Sequence, residues 1–106
     1  MTLAQAANLA RSLMDAEGLQ GFTLGWIEDD RRQVRRGRYK YADFGLTLHL
    51  QGRILLSKAD VSTLGRDEFI DTVKHEIAHA LLGTNDHGAD WRDLAHSMGV
   101  DTADYV

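Results

Sequence analysis

HEIAHALLGTNDHGADW, residues 75–91, is the most informative stretch of the chain. Its first five residues, His75–His79, form the pattern H-E-x-x-H. On a helix, residues four positions apart lie one turn apart on the same face, so the two histidines can present ring nitrogens to a single metal ion. Glu76 lies one position further round the helix, where its carboxylate can hold a water molecule beside the metal instead of binding the metal. The pattern therefore predicts a metal-binding helix.

A catalytic zinc site needs a third protein ligand, and two common sources of that ligand are excluded. The glutamates of the chain are at positions 17, 28, 68 and 76, so no glutamate follows the motif. The spacing H-E-x-x-H-x-x-G-x-x-H also fails, because Leu82 and Asn85 stand where that pattern needs glycine and histidine. The third ligand must therefore come from another residue after the helix.

The remaining candidates for the third ligand are Asp86, His87, Asp90, Asp93 and His96. His87 is favoured, because an imidazole in a short turn between two helices can fold back over the first helix. Asp86 is the runner-up, because residues 83–86 resemble the G-T-x-D string of zinc proteases with an aspartate ligand. We interpret His96 as a solvated helix residue.

The predicted chemistry is hydrolysis with one Zn²⁺ per chain. Zinc polarises a carbonyl group and lowers the pKa of a bound water molecule, and Glu76 is placed to act as the general base. A Glu76 substitution is therefore expected to leave metal binding largely intact and to remove turnover.

Hydrophobic periodicity predicts helices and strands along the whole chain. A helix over Thr2–Glu17 has Thr2 as N-cap and is followed by Gly18 as a stop signal. The other predicted elements are strands over Phe22–Glu28, Val34–Tyr41, Leu46–Leu50 and Arg53–Ser57, and helices over Arg66–Leu82 and Ala89–Met98. They predict an α+β fold with an N-terminal helix, a small sheet of three or four strands, the H-E-x-x-H helix and a C-terminal helix.

The same patterns predict which side chains are buried. In the strand at 46–50, the three leucines should point inward and His49 outward to the surface. The predicted buried side of the motif helix consists of Phe69, Ile70, Val73, Ile77, Leu81 and Leu82. We also expect the strand at 53–57 to lie near the cleft, where an extended substrate could pair alongside it.

Length and composition indicate one soluble domain over residues 1–106. Hydrophobic residues make up 43% and charged residues 26% of the sequence, values ordinary for a globular protein. An uninterrupted apolar run of about 18 residues is absent, so no membrane span is expected. The N-terminus lacks the features of a secretory signal. The absence of cysteine excludes disulfides and a thiolate zinc site. A cytoplasmic monomer is the expectation.

The net charge of −4 conceals two segments of opposite sign. Residues 31–58 carry eight basic residues against one acid, whereas residues 59–106 carry three basic residues against ten acids. The basic segment, Arg31–Lys58, could associate weakly with DNA. Alternatively, these arginines form the solvated face of a sheet. Both interpretations stay open.

The motif residues also carry a family resemblance. H-E-I-A-H-A-L, a short turn and H-G-x-x-W resemble the SprT-like (Spartan) family of zinc metalloproteases. Upstream, Gly18-Leu19 after the first helix, Trp26 in a strand and the Ile-Leu-Leu-Ser strand also match that family. Many SprT-like proteins continue into a cysteine zinc ribbon, and this cysteine-free sequence therefore resembles a compact form of the domain.

The resemblance implies a zincin-like minimal metalloprotease fold, with zinc ligands at His75, His79 and His87 and Glu76 as the catalytic residue. Trp91 would be the aromatic packing residue after the third histidine. The predicted function is a zinc-dependent metalloendopeptidase acting on protein or peptide substrates, with proteins held on DNA as one substrate class. The alternative is a catalytically silent, zinc-stabilised binding module.

Overall fold

The structure, a computed structural model, describes residues 1–27, 45–58, 61, 64–84 and 86–100. The described part contains three helices and three strands: α1 (Leu3–Ala16), β1 (Thr23–Ile27), β2 (Gly45–Leu48), β3 (Arg53–Ser57), α2 (Arg66–Leu82) and α3 (Ala89–Ser97). The predicted α+β class is confirmed, with the boundaries of most elements within one or two residues of those expected. The predicted basic strand at Val34–Tyr41 lies outside the described residues.

Helix α1 begins and ends as its sequence predicts. The Thr2 hydroxyl accepts a hydrogen bond from the Gln5 backbone N–H, and the Gln5 side chain accepts one from the Thr2 backbone, which completes a capping box. After the helix, Gly18 adopts a φ of 81°, a left-handed conformation that glycine takes without steric cost. Ala6, Ala10 and Met14 are fully buried, and this face packs the helix onto the common core.

The sheet has the order β1-β3-β2, with β1 parallel and β2 antiparallel to the central strand. Since β3 is hydrogen-bonded on both sides, an extended substrate has no open edge of β3 to pair with. The predicted role of Arg53–Ser57 as a docking strand is therefore wrong.

The inward face of β2 also differs from the prediction. Thr47 is 1% exposed and lies directly opposite Ile54 of β3, so it shares the buried face of the sheet. Leu48 is half-buried, and Leu50 is fully exposed in the turn that follows. The Thr47 side chain faces helix α2, to which its hydroxyl makes the hydrogen bonds described below.

The buried side of helix α2 is more polar than its hydrophobic pattern predicts. Phe69, Val73 and Ile77 are buried as expected, but Leu81 and Leu82 are 40% and 39% exposed. Toward the C-terminal end of the helix, the inward positions are occupied by Glu76 and His79, which are 5% and 3% exposed. The helix therefore buries only apolar residues in its first turns, and both apolar and polar residues toward its C-terminal end.

Helix α3 packs against α2 in a second small core. Its buried residues are Trp91 and Ala95, and Leu94 and Met98 contact them. Lys74 of α2 donates a hydrogen bond of 3.0 Å to the Met98 carbonyl near the end of α3, which links the two helices. Within the described ranges, no helix is long and apolar enough to cross a membrane.

Candidate metal centre

The end of helix α2 turns the chain so that a third histidine approaches the first two. Gly83 is the C-cap, with a φ of 70°, and its N–H donates to the His79 carbonyl at 2.9 Å. The loop that follows includes a bond of 3.1 Å from the Asp86 N–H to the Thr84 hydroxyl. This short turn brings His87 back over the helix before α3 begins.

The three imidazoles meet at their Nε2 atoms. The Nε2 of His79 lies 3.2 Å from that of His75 and 3.0 Å from that of His87, and the third side of the triangle is 3.3 Å. Among the described residues, these three form the one cluster of histidines and carboxylates with metal-binding geometry. Asp86 and His96 are exposed and belong to no such cluster. The structure therefore brings His87, the candidate favoured by the sequence, to the other two histidines.

A backbone hydrogen bond sets the tautomer of His79. Its Nδ1 lies 2.9 Å from the Thr84 carbonyl oxygen, which can only accept, so Nδ1 carries the proton. The neutral ring then presents an unprotonated Nε2 to the centre of the triangle. A ring whose other nitrogen is hydrogen-bonded to a carbonyl is the usual arrangement for a metal-binding histidine.

The indole ring of Trp91 packs against all three imidazoles. Its ring centroid lies 4.7 Å from those of His75 and His87 and 5.1 Å from that of His79, with the His79 ring stacked at 20°. The indole is 1% exposed, and its Nε1 has no hydrogen-bond partner among the described residues. Helix α3 thus holds the histidine rings in place through packing.

Glu76 is directed toward the triangle from the sheet side. Its Oε2 lies 4.0 Å from the Nε2 of His75, and its Oε1 accepts a hydrogen bond of 2.8 Å from the Thr47 hydroxyl. The carboxylate is therefore beside the histidine nitrogens without belonging to their cluster, as the spacing of the motif predicts.

The comparison with protein families agrees with this geometry. A family model described as the SprT-like family matches residues 6–105 of the chain. The chain belongs to the SprT-like family. The searches of curated proteins and of solved structures found no match.

The electrostatics of this SprT-like centre favour neutral imidazoles. Burial is the main cause that lowers the pKa of His75 from 6.5 to about 3, with the charges of His79 and His87 as smaller causes. Burial likewise lowers the pKa of His79 to about 4, although its bond to the Thr84 carbonyl partly opposes this. The pKa of His87 is also lowered by burial. All three nitrogens are thus kept available as electron-pair donors near neutral pH.

Two residues of the SprT-like site were not identified as functional from the sequence. Thr47 contacts Glu76, and His49 lies near enough to His79 for its charge to lower the pKa of that histidine. His49 is half-buried in the turn after β2, not in the outward-facing strand position predicted for it. The available signal was the alternation of residues 46–50, in which Thr47 and His49 share one face. Leucines normally point inward, so the alternation predicts the opposite face from the one that the structure buries.

Proposed function

We propose that this SprT-like chain is a zinc-dependent metalloendopeptidase, with His75, His79 and His87 as zinc ligands and Glu76 as the general base. The observation that carries the proposal is the triangle of Nε2 atoms with sides of 3.0–3.3 Å. Two nitrogen ligands of a tetrahedral zinc ion, each about 2.0–2.1 Å from the metal, are separated by roughly 3.3 Å. This spacing supports the proposal that the three imidazoles are zinc ligands.

The donor set favours zinc over harder metal ions. Three neutral imidazole nitrogens suit zinc and other late transition metals, whereas magnesium and calcium prefer oxygen ligands. Three protein ligands are also the number typical of catalytic zinc, while structural zinc sites are usually closed by four. In this chain a fourth ligand from cysteine is excluded by composition.

Glu76 supplies the acid–base step in this proposal. When bound, zinc supplies Lewis-acid chemistry that polarises the substrate carbonyl and acidifies water. The Oε2 of Glu76, 4.0 Å from the His75 nitrogen, is placed to take a proton from the attacking water. The same carboxyl group can then deliver that proton to the leaving amine, so the base is restored at the end of the cycle.

The test compares two glutamates of helix α2. Glu76→Gln should retain about one zinc per chain and lose hydrolysis of an unfolded protein substrate by roughly 10²–10⁴-fold, the usual contribution of general acid–base catalysis. Glu68→Gln, which changes an exposed glutamate in the first turn of the same helix, is the matched control and should keep full activity. Equal activity in Glu76→Gln and wild type would exclude Glu76 as the base.

A catalytically silent, zinc-stabilised binding module is the alternative that the same experiment addresses. Such a protein would bind zinc and gain stability from it, but neither wild type nor the Glu68→Gln control would cleave the substrate. The buried position of Glu76, at 5% exposure and beside the histidine nitrogens, argues against this alternative. A purely structural site needs no carboxylate there.

Weak association with DNA through residues 31–58 is proposed from charge alone. The segment carries a net charge of +7, and residues 31–44, which hold six of its eight basic residues, lie outside the described residues. Binding through phosphate contacts weakens steeply as salt rises. A DNA mobility shift that disappears between about 50 and 200 mM salt would support the proposal, and absence of a shift at low salt would refute it.

A further inference from the structure

Thr47 is a polar residue on the buried face of the sheet, which it shares with the apolar residues Ile54 and Leu56. It lies opposite Ile54, which is fully buried, and its own side chain is 1% exposed. A buried hydroxyl destabilises a fold unless it is hydrogen-bonded, so its partners show what it does. A valine would have nearly the same shape at this position without that requirement.

The hydroxyl of Thr47 contacts Glu76 twice, across 29 residues of sequence. It lies 2.8 Å from Oε1 of the carboxylate and 3.0 Å from the Glu76 backbone carbonyl oxygen. The single hydroxyl proton is shared between the two acceptors, with the shorter contact to the carboxylate. The Thr47 hydroxyl thus contacts both the side-chain carboxylate and the backbone carbonyl of Glu76.

These contacts restrict where the second oxygen of the carboxylate can lie. With Oε1 bound to the sheet, rotation of the carboxyl group is limited, and Oε2 is left 4.0 Å from the His75 nitrogen. Oε2 is therefore the carboxylate oxygen that lies beside the histidine nitrogens. Displacement of a catalytic group by about 1 Å can reduce a rate by about 100-fold.

We propose that Thr47 is a positioning residue, whose hydroxyl holds Oε1 of Glu76 so that Oε2 faces the three histidines. This inference rests on the proposed function, in which Glu76 acts as the general base. The contribution of Thr47 is orientation of that base, and it requires neither contact with the substrate nor contact with the metal.

Two substitutions separate positioning from packing. Thr47→Val keeps the branched shape and removes the hydroxyl, whereas Thr47→Ser keeps the hydroxyl and removes a methyl group. If Thr47 positions Glu76, the valine variant should lose about 100-fold in kcat at nearly unchanged KM, and the serine variant should stay within a few-fold of wild type. If Thr47 only fills space, the serine variant should be the weaker of the two. Zinc content and the melting temperature are measured for both variants.

A second readout does not depend on turnover. Crystal structures of the zinc-loaded variants should show the Glu76 carboxylate in its original orientation with serine and rotated away from the His75 nitrogen with valine. An unmoved carboxylate in the valine variant, or full activity of that variant, would overturn the inference.

The two readouts also separate this inference from the proposed function. If wild type cleaves no substrate but the carboxylate moves only in the valine variant, the peptidase proposal fails and the positioning role stands. If wild type is active and the valine variant is equally active, the peptidase proposal stands and the positioning role fails.

Discussion

Lowering the pH from 7 to 5 should destabilise the zinc-free protein through two of its buried histidines. His75 and His79 have pKa values lowered to about 3 and about 4 in the folded state, against 6.5 for an ordinary histidine. Between pH 6.5 and 4 the unfolded chain therefore binds protons that the folded protein excludes. Because the unfolded state binds more protons, the free energy of unfolding falls as the pH falls through this window.

The expected loss is large relative to the stability of a small domain. At pH 5, 1.5 units below the ordinary pKa, each histidine lowers the free energy of unfolding by about 2 kcal/mol. The two together give a loss of about 4 kcal/mol, compared with a total stability of about 5–15 kcal/mol for a typical domain. Nearly all of this loss should appear below pH 6.5.

Urea unfolding in the presence of a metal chelator, at pH 7 and pH 5, measures this loss. The double variant His75→Gln/His79→Gln is the comparison, because it lacks both titrating groups and keeps the carboxylates that contribute to acid unfolding. Wild type should lose about 4 kcal/mol more than the double variant over this pH interval. Equal losses in the two proteins would refute the argument that burial keeps these imidazoles neutral.

Four further changes test the site and its supports. His87→Ala should reduce zinc content well below one per chain by elemental analysis, whereas the exposed His96→Ala should retain it, and equal retention would exclude His87 as a ligand. Gly83→Ala should lower the free energy of unfolding by about 1–2 kcal/mol, because its φ of 70° is strained for alanine; an unchanged urea midpoint would contradict this. Trp91→Ala should cost about 3–5 kcal/mol and Trp91→Phe less than the alanine variant, with zinc affinity by competition titration reduced mainly in the alanine variant. Thr2→Ala should lower the thermal midpoint through loss of about 1 kcal/mol of helix capping, and no change would show that the capping box adds nothing in solution.

The helices and the metal centre were predicted from the sequence because their signals are local. The ends of α2 follow from its periodicity and from Gly83, and the approach of His87 follows from a turn too short to lead elsewhere. These features depend only on residues four or eight positions apart, so a local sequence pattern is enough to predict them. The family resemblance that rests on the same residues is also confirmed.

The buried face of β2 and the buried polar residues were not predicted, because they depend on which helices and strands pack together. Alternation in residues 46–50 shows two faces but does not show which one α2 covers, and the buried face is the one that carries Thr47 instead of the one predicted from the leucines. Leu81 and Leu82 fit the helical pattern of buried positions, but both lie outside the core and are exposed. The pairing of Thr47 with Glu76 joins residues 29 apart, a contact that no local pattern contains.

The proposed zinc ligands lie close together in the sequence, whereas the proposed general base is oriented by a distant residue, so metal retention and the proposed turnover depend on different parts of the fold. The three histidines are only four and eight residues apart in succession, so closing the chain around a metal costs little entropy, and this can occur within the α2–α3 hairpin alone. The orientation of Glu76 depends on a strand 29 residues earlier and therefore on the assembled sheet. A preparation in which the sheet has frayed should thus keep its full zinc content while its specific activity falls. Under the proposed function, zinc analysis alone would overestimate the active fraction, and active-site titration would be the appropriate measure of it.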